Sequence, residues 1–387
     1  MEKNLINAAS SRKSVLKYFM KYILIIELAA VFILFEILTK GLFLSLVNIT
    51  NLLMQACVFS MLAIGMLYLL VAGNIDLSVG AGLGLLGTIG ASFQAKMGIG
   101  TVPTILLMIV GGLLIGSWNG FFIAYMKIPA FIVTLATMLV FQGLNLFITG
   151  GYSIGPMRDT FCVFGKASLG TAASWIFIVI MVIFACLSMS INRKKQMKYG
   201  FRVRKLGFHA LLMAAVCAGI VGVGYLLIAY RGIPYAVILL VVLAIVYTII
   251  ANSTPLGRHV YAIGGNRDAA RLSGISVEKT IFISYLLSGL ILGIASVTYL
   301  GRMRQATPQA GTDFEFSAIT GCIVGGASTL GGVGTVWGAI LGTVLVSSID
   351  NGMSLLNLPS SLQYMVKGLV LLLAVLMDVL TKRNEKR

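Results

Sequence analysis

Apolar runs separated by short polar gaps divide the chain into twelve segments, at roughly 22–40, 51–72, 76–95, 103–126, 129–149, 171–191, 209–230, 233–252, 280–300, 317–330, 333–349 and 361–380. Most reach the roughly 17–25 residues that an apolar helix needs to cross a bilayer. The run from Ile233 to Ile250 is apolar nearly throughout and does not alternate as the strand of a membrane barrel would. Only helices and closed barrels satisfy their own backbone hydrogen bonds in hydrocarbon, so the pattern predicts helices. The expected fold is all-α, a polytopic transmembrane helical bundle forming one domain over residues 1–387. The 317–330 segment is short and glycine-rich and reads as a half-helix or re-entrant piece.

Composition removes the soluble alternative. The chain is 58% hydrophobic and 11% charged, against roughly 25% charged in soluble domains. Its 29 Lys+Arg against 12 Asp+Glu give a formal net charge of +17. On a soluble protein that excess would suggest nucleic acid. Here it sits in four clusters, as the positive-inside rule expects of cytoplasmic segments, and no nucleic-acid partner is expected. They are Arg12, Lys13, Lys17 and Lys21; Arg193 to Lys205; Arg258, Arg267, Arg271 and Lys279; and Lys382, Arg383, Lys386 and Arg387. Six, two and four segments separate successive clusters, so each returns to the same side. Both termini are therefore expected in the cytoplasm, in a multi-pass protein of the inner membrane whose partner is the lipid bilayer. The first apolar run ends in Phe35-Glu36-Ile37-Leu38-Thr39-Lys40, without a small-residue cleavage site, and reads as a retained span.

Candidate chemistry is sparse. Cys57, Cys162, Cys186, Cys217 and Cys322 have no metal-ligand spacing, and His209 and His259 build no nucleophile constellation. No metal or cofactor is expected. The chain carries no phosphate-binding G-x-x-x-x-G-K-[ST] loop, no G-x-S-x-G elbow and no H-E-x-x-H. A membrane enzyme is poorly supported, and transport is the reading that remains.

Three stretches depart from the apolar background. Gly73-Asn74-Ile75-Asp76-Leu77-Ser78-Val79-Gly80 places three polar residues between apolar runs. An Asp at the centre of an isolated span costs roughly 2.5–3.5 kcal/mol, so it faces a partner, a cavity or water. The stretch reads either as a broken helix lining a solute path or as an interfacial turn in which Asp76 or Ser78 caps the next helix. The loop 252–279 contains a Gly264-Gly265-Asn266 turn signal, a short helix Arg267–Leu272 that Asn266 caps, and Gly274 to end it. It is either a docking element for another protein or a basic loop that fixes topology. The glycines from Gly325 to Gly334, with Gly338 and Gly342, permit either a hinge or gate, or close helix packing.

Taken in order, GNIDLSVG at 73–80, PAFIVTLATMLVFQGL at 129–144, YAIGGNRDAARLSGISVEK at 261–279, and the glycine stretch with Asp350-Asn351-Gly352 resemble the permease subunit of monosaccharide ABC importers of the ribose/xylose/galactose type. The resemblance covers about residues 50 to 380. It implies a permease working as a pair, a separate cytoplasmic ATPase beneath it, an extracytoplasmic sugar-binding protein above it, and a monosaccharide as cargo. It implies no enzymatic activity in this chain. Gly265, Asn266, Asp268, Ala269, Ala270 and Gly274 resemble the coupling-helix motif that meets the ATPase, with Asp268 where the family usually has Glu. Against a ribose-type permease of about ten spans, residues 171–230 read as a two-helix insertion, a feature of the long xylose or multiple-sugar branch.

Sugar hydroxyls need donors and acceptors, so Asn74, Asp76, Ser78, Gln142 and Asn145 are expected on the path. Arg302 and Arg304, on a predicted external loop, are expected to meet the binding protein, where charge complementarity speeds encounter. The rival reading is an ion-coupled secondary transporter of a small polar solute. It would need an intramembrane charge relay, for which only Glu36, Asp76 and Asp350 are candidates. A scaffold protein would need no polar residues inside its bundle.

Overall fold

The computed structural model describes residues 23–201, 203 and 205–385. The basic residues Arg12, Lys13, Lys17, Lys21, Arg202, Arg204, Lys386 and Arg387 lie outside them. The described chain is helical, and its only strand-like pairings are the isolated bridges Ile154–Ala306 and Ser168–Pro234. The helices are α1 (23–38), α2 (Leu46–Val71), α3 (Val79–Ala91, prolonged by a π turn Ser92–Lys96), α4 (Thr101–Ala124), α5 (Ala130–Thr149), α6 (Asp159–Lys166), α7 (Thr171–Lys198), α8 (Leu206–Tyr230), α9 (Tyr235–Ser253), α10 (Pro255–Gly265), α11 (Arg267–Leu272), α12 (Val277–Met303), α13 (Phe314–Val324), α14 (Val336–Leu355) and α15 (Ser360–Glu385).

Each of the twelve predicted segments falls on a helix, but among the described residues eight helices are long and apolar enough to cross a membrane alone. These are α2, α4, α5, α7, α8, α9, α12 and the Ser360–Leu380 part of α15. The shortfall has a physical origin. The described part of helix α1 (23–38) is short of a full span, segment 317–330 is a half-length helix, α13, preceded by non-helical chain, and segment 76–95 changes from α to π winding at Ser92. Helix α14 is long, but Ser347, Ser348, Asp350 and Asn351 interrupt its apolar character.

Helix α2 forms the axis of the bundle and is buried almost all round. It packs against α12, α13, α14, α9 and α8. A helix apolar on every face is what such a central position requires. At the other extreme, α7 and α8 pack on each other at the periphery. They bury only Ser174 and Ile178 of the one and Gly224 and Leu227 of the other.

In lipid there is no hydrophobic gain from bringing two helices together, so close backbone approach carries the packing. The α4–α12 crossing shows it. A Cβ at Gly289 would stand 2.3 Å from the Gly112 carbonyl oxygen, and one at Gly112 would stand 2.3 Å from that of Gly289. The glycine-rich stretch uses the same device: Gly321 and Gly325 of the α13 region face Gly342 and Gly338 of α14. We expect Gly289→Leu to lower stability by about 3 kcal/mol or more through overpacking. Gly219→Leu, where nothing lies within 4 Å of the added carbon, should leave it unchanged. Thermal unfolding midpoints of the two variants in detergent check this.

Candidate functional site

The first polar stretch is a helix break inside the protein. Helix α2 stops at Val71, Gly73 turns the chain with φ +79°, and α3 resumes at Val79. Asp76 Oδ1 accepts from the Ser78 backbone N–H at 2.8 Å and from Ser78 Oγ at 2.6 Å. Ser78 Oγ accepts from Asn119 Nδ2 at 2.8 Å, and Asn119 Oδ1 accepts from Thr137 Oγ1 at 2.9 Å. All four residues are buried. The break is thus tied to α4 and α5 by a closed network, and Asp76 satisfies an N–H that the start of α3 leaves free. The helix break and a carboxylate bonded to the start of the next helix are both present. Asn74 differs from its neighbours, since its Nδ2 is buried without a partner.

A second break faces the first. Residues 304–313 run down alongside α3. Ala306 pairs with Ile154, and Asn145 Nδ2 donates to the Pro308 carbonyl at 2.8 Å. Thr88 donates to Asn145 Oδ1. Gly80 has to be glycine here, because a Cβ would stand 2.1 Å from Glu315 Oε2 and 2.4 Å from the Gly311 carbonyl. The starts of α3 and α13 therefore meet inside the bundle. Asp76, Asp313 and Glu315 cluster where both helix dipoles are positive. Asn145 ties the second break to the body of α3, and Gln142, one turn earlier, is half-buried.

Beside the start of α13 lies a cavity with two lobes, of about 320 Å³ and about 290 Å³. Asp313, Ser317, Asp350, Tyr364 and Lys367 line both lobes. Gln55, Tyr299, Arg302 and Thr312 line the first. Lys367 Nζ pairs with Asp350 Oδ2 at 2.9 Å, while Asp350 Oδ1 is buried without a partner. Neither lobe is lined by Asn74, Asp76, Ser78, Gln142 or Asn145. Sequence reasoning missed Gln55 and Lys367. The available signal was a lone Lys and a lone Gln inside otherwise apolar spans. Arg302 lines this cavity, whereas Arg304 makes an exposed ion pair with Asp159 of α6 at 2.6 Å.

At the opposite end of α12 the 252–279 loop folds as two short helices. Thr254 caps α10, and Pro255 occupies its first turn. Asn266 Oδ1 accepts from the Asp268 and Ala269 N–H groups at 3.1 and 3.0 Å, capping α11 as expected. Gly274, with φ +81°, ends the turn. Ala270 is buried with Ile263, Val277, Ile281 and Leu69. Arg267, Asp268 and Ala269 are exposed, and Leu272 is 89% exposed.

This face is bonded to the glycine-rich loop. Tyr261 Oη donates to the Gly334 carbonyl at 2.7 Å, and burial pushes that phenol above its ordinary pKa. The Gly332 N–H donates to the Val71 carbonyl at 2.9 Å. Asp378 Oδ2 accepts from Thr329 N–H at 3.0 Å, Thr329 Oγ1 at 2.9 Å and Ser328 Oγ at 3.2 Å. The tight glycine is Gly264, where a Cβ would stand 1.7 Å from the Val71 carbonyl. Gly265 has nothing within 4 Å.

An apolar bundle with two opposed helix breaks, an internal polar cavity and a small polar helix pair on one end defines a membrane permease. The chain belongs to the family described as branched-chain amino acid transport system / permease component, whose pattern matches residues 48–375. It is 42% identical over 363 residues to the xylose transport system permease protein XylH of Haemophilus influenzae, covering 94% of this chain and 97% of that one. It is 34% identical over 339 residues to the ribose import permease protein RbsC of Bacillus subtilis, covering 87% and 86%. It is 29% identical over 396 residues to the galactose/methyl galactoside import permease protein MglC of Escherichia coli, covering 98% and 100%. No solved structure matches the chain. The resemblance drawn from the four motifs therefore holds, and the chain is a multi-pass inner-membrane permease.

Gly264→Ala should lower membrane abundance and thermal stability, because backbone stands where its methyl would go. Gly265→Ala should match the parent in both. Quantitative immunoblotting and a melting curve on each variant distinguish them.

Proposed function

We propose that this chain is the permease subunit of an ATP-driven monosaccharide importer whose cargo is xylose or a closely related pentose. The observation that carries the reading is the 42% identity to a xylose permease along nearly the whole of both chains. In this reading two copies form the pore. A separate cytoplasmic ATPase docks on α10 and α11, and an extracytoplasmic sugar-binding protein delivers solute at the far end. The chain itself hydrolyses nothing.

Closure of the ATPase dimer moves α11 through Asn266, Asp268, Ala269 and Gly274, with Ala270 as its packing foot. Leu272 inserts into an apolar pocket of the ATPase. The motion passes through Gly264 and Tyr261 to Val71 and Gly334, and so to the C-terminal end of the Gly325–Gly334 loop. The break at Asn74–Ser78 lies three residues beyond Val71 and moves with it. Asp76, Ser78 and Asn145 bond to protein in the present state and keep the half-helices seated. Asn74, with its unpaired amide, and Gln142 meet solute once the pore opens toward the docking face. Arg304, with Asp159, meets the binding protein. Residues 171–230 are a peripheral addition to a ten-helix core. The ion-coupled alternative is not favoured: Asp350 already has Lys367 as a partner, and Asp76 is closed within its own network.

The permease, reconstituted in vesicles with its ATPase and binding protein, should take up D-xylose only with ATP and should stop when vanadate is added. Uptake driven by a proton or sodium gradient without ATP would overturn the reading. Leu272→Glu should weaken ATPase association at least about tenfold, the loss expected when a buried leucine contact is replaced by a charge. Copurification at equal permease abundance measures it.

A further inference from the structure

The cavity beside α13, open on the side of Tyr364, carries charged side chains that the proposed docking leaves unused. Its lining has three properties that together select a class of ligand. Its charges balance, with Arg302 and Lys367 against Asp313 and Asp350. A free ion of either sign would thus meet one like charge for each opposite one, while a neutral polyol can donate to the carboxylates and accept from the cations. Its walls include Tyr299, Tyr364 and Phe59, whose ring faces suit the C–H face of a sugar ring. It also presents an acceptor, the Asp313 carboxylate, on the wall that both lobes share, where a hydroxyl can donate to it. The lobe of about 320 Å³ lies at the lower end of the range for small-molecule sites, room enough for a single sugar ring.

We propose that this cavity is a holding site for one monosaccharide, with Asp313 as acceptor, Arg302 and Lys367 as donors and Tyr364 as the stacking face. It rests on the importer reading for its place in transport. The site lies in the half of the bundle away from α11, so solute occupies it before the half-helix junction lets it pass. Ser317 lines both lobes, and a larger side chain there fills the space while leaving the charged residues in place.

The test uses the full-length permease in lipid nanodiscs, with D-xylose at about 50 mM as probe. The melting temperature of the parent should rise by about 2 °C or more, as expected for a ligand that binds the folded state. Ser317→Phe should abolish the rise. Tyr364→Leu, at an exposed position that tolerates change, should abolish or halve it and serves if the first variant does not fold. An equal rise in parent and variants, the signature of general exclusion of sugar from protein surface, overturns the proposal, as does no rise in the parent. Vesicle uptake is read separately. Variant-sensitive stabilisation without ATP-driven uptake upholds the site and refutes the importer reading, while ATP-driven uptake that Ser317→Phe leaves intact refutes the site alone.

Discussion

A backbone that leaves the helix inside hydrocarbon has to find its hydrogen-bond partners in protein. This chain does so before α3 and again before α13, and each departure is held by neighbouring elements. The stretch that ends at Ser78 is bonded through Asp76, Asn119 and Thr137 to α4 and α5. Residues 306–311 lie against α3 at Gly80 and Gly84 and take a bond from Asn145. The start of α13 is therefore packed on α3. The glycines at these positions set the approach distance, and the carboxylates at the two helix starts answer the dipoles.

The same constraint connects the ends of the molecule. The glycine-rich loop satisfies only part of its backbone internally, and it also bonds to the α2 terminus, to Tyr261 of α10 and to Asp378 of α15. It joins α13, which borders the polar cavity, to α14. In the proposed docking, that continuity of backbone and of a few hydrogen bonds is what would connect α11 to the cavity.

Much of the fold was legible because a spanning helix writes itself as a run of apolar residues, and each of the twelve runs became a helix. The fold of the 252–279 loop was legible for another reason: Asn266 and Gly274 are local cap and turn signals that need no tertiary information. The half-length of α13 was legible too, because its apolar run is short, whereas the change to π winding at Ser92 has no local apolar signature. Helix α10 was missed although Thr254-Pro255 is a helix start, because the basic residues around it read as a loop. The cavity was the least visible part. Gln55, Tyr299, Asp313, Asp350 and Lys367 come from five separate places in the chain, and only packing brings them together. Gly265 stood out in the motif, yet the position with no room for a side chain is its neighbour Gly264.

The whole arrangement depends on the turn into α3, residues 76–80, being buried in protein rather than open to water. Amide hydrogen exchange on the permease in nanodiscs reads this directly. Amides of residues 76–80 should exchange as slowly as those in the middle of α2, and far more slowly than the 125–129 turn. Exchange of 76–80 at the rate of that turn would contradict it.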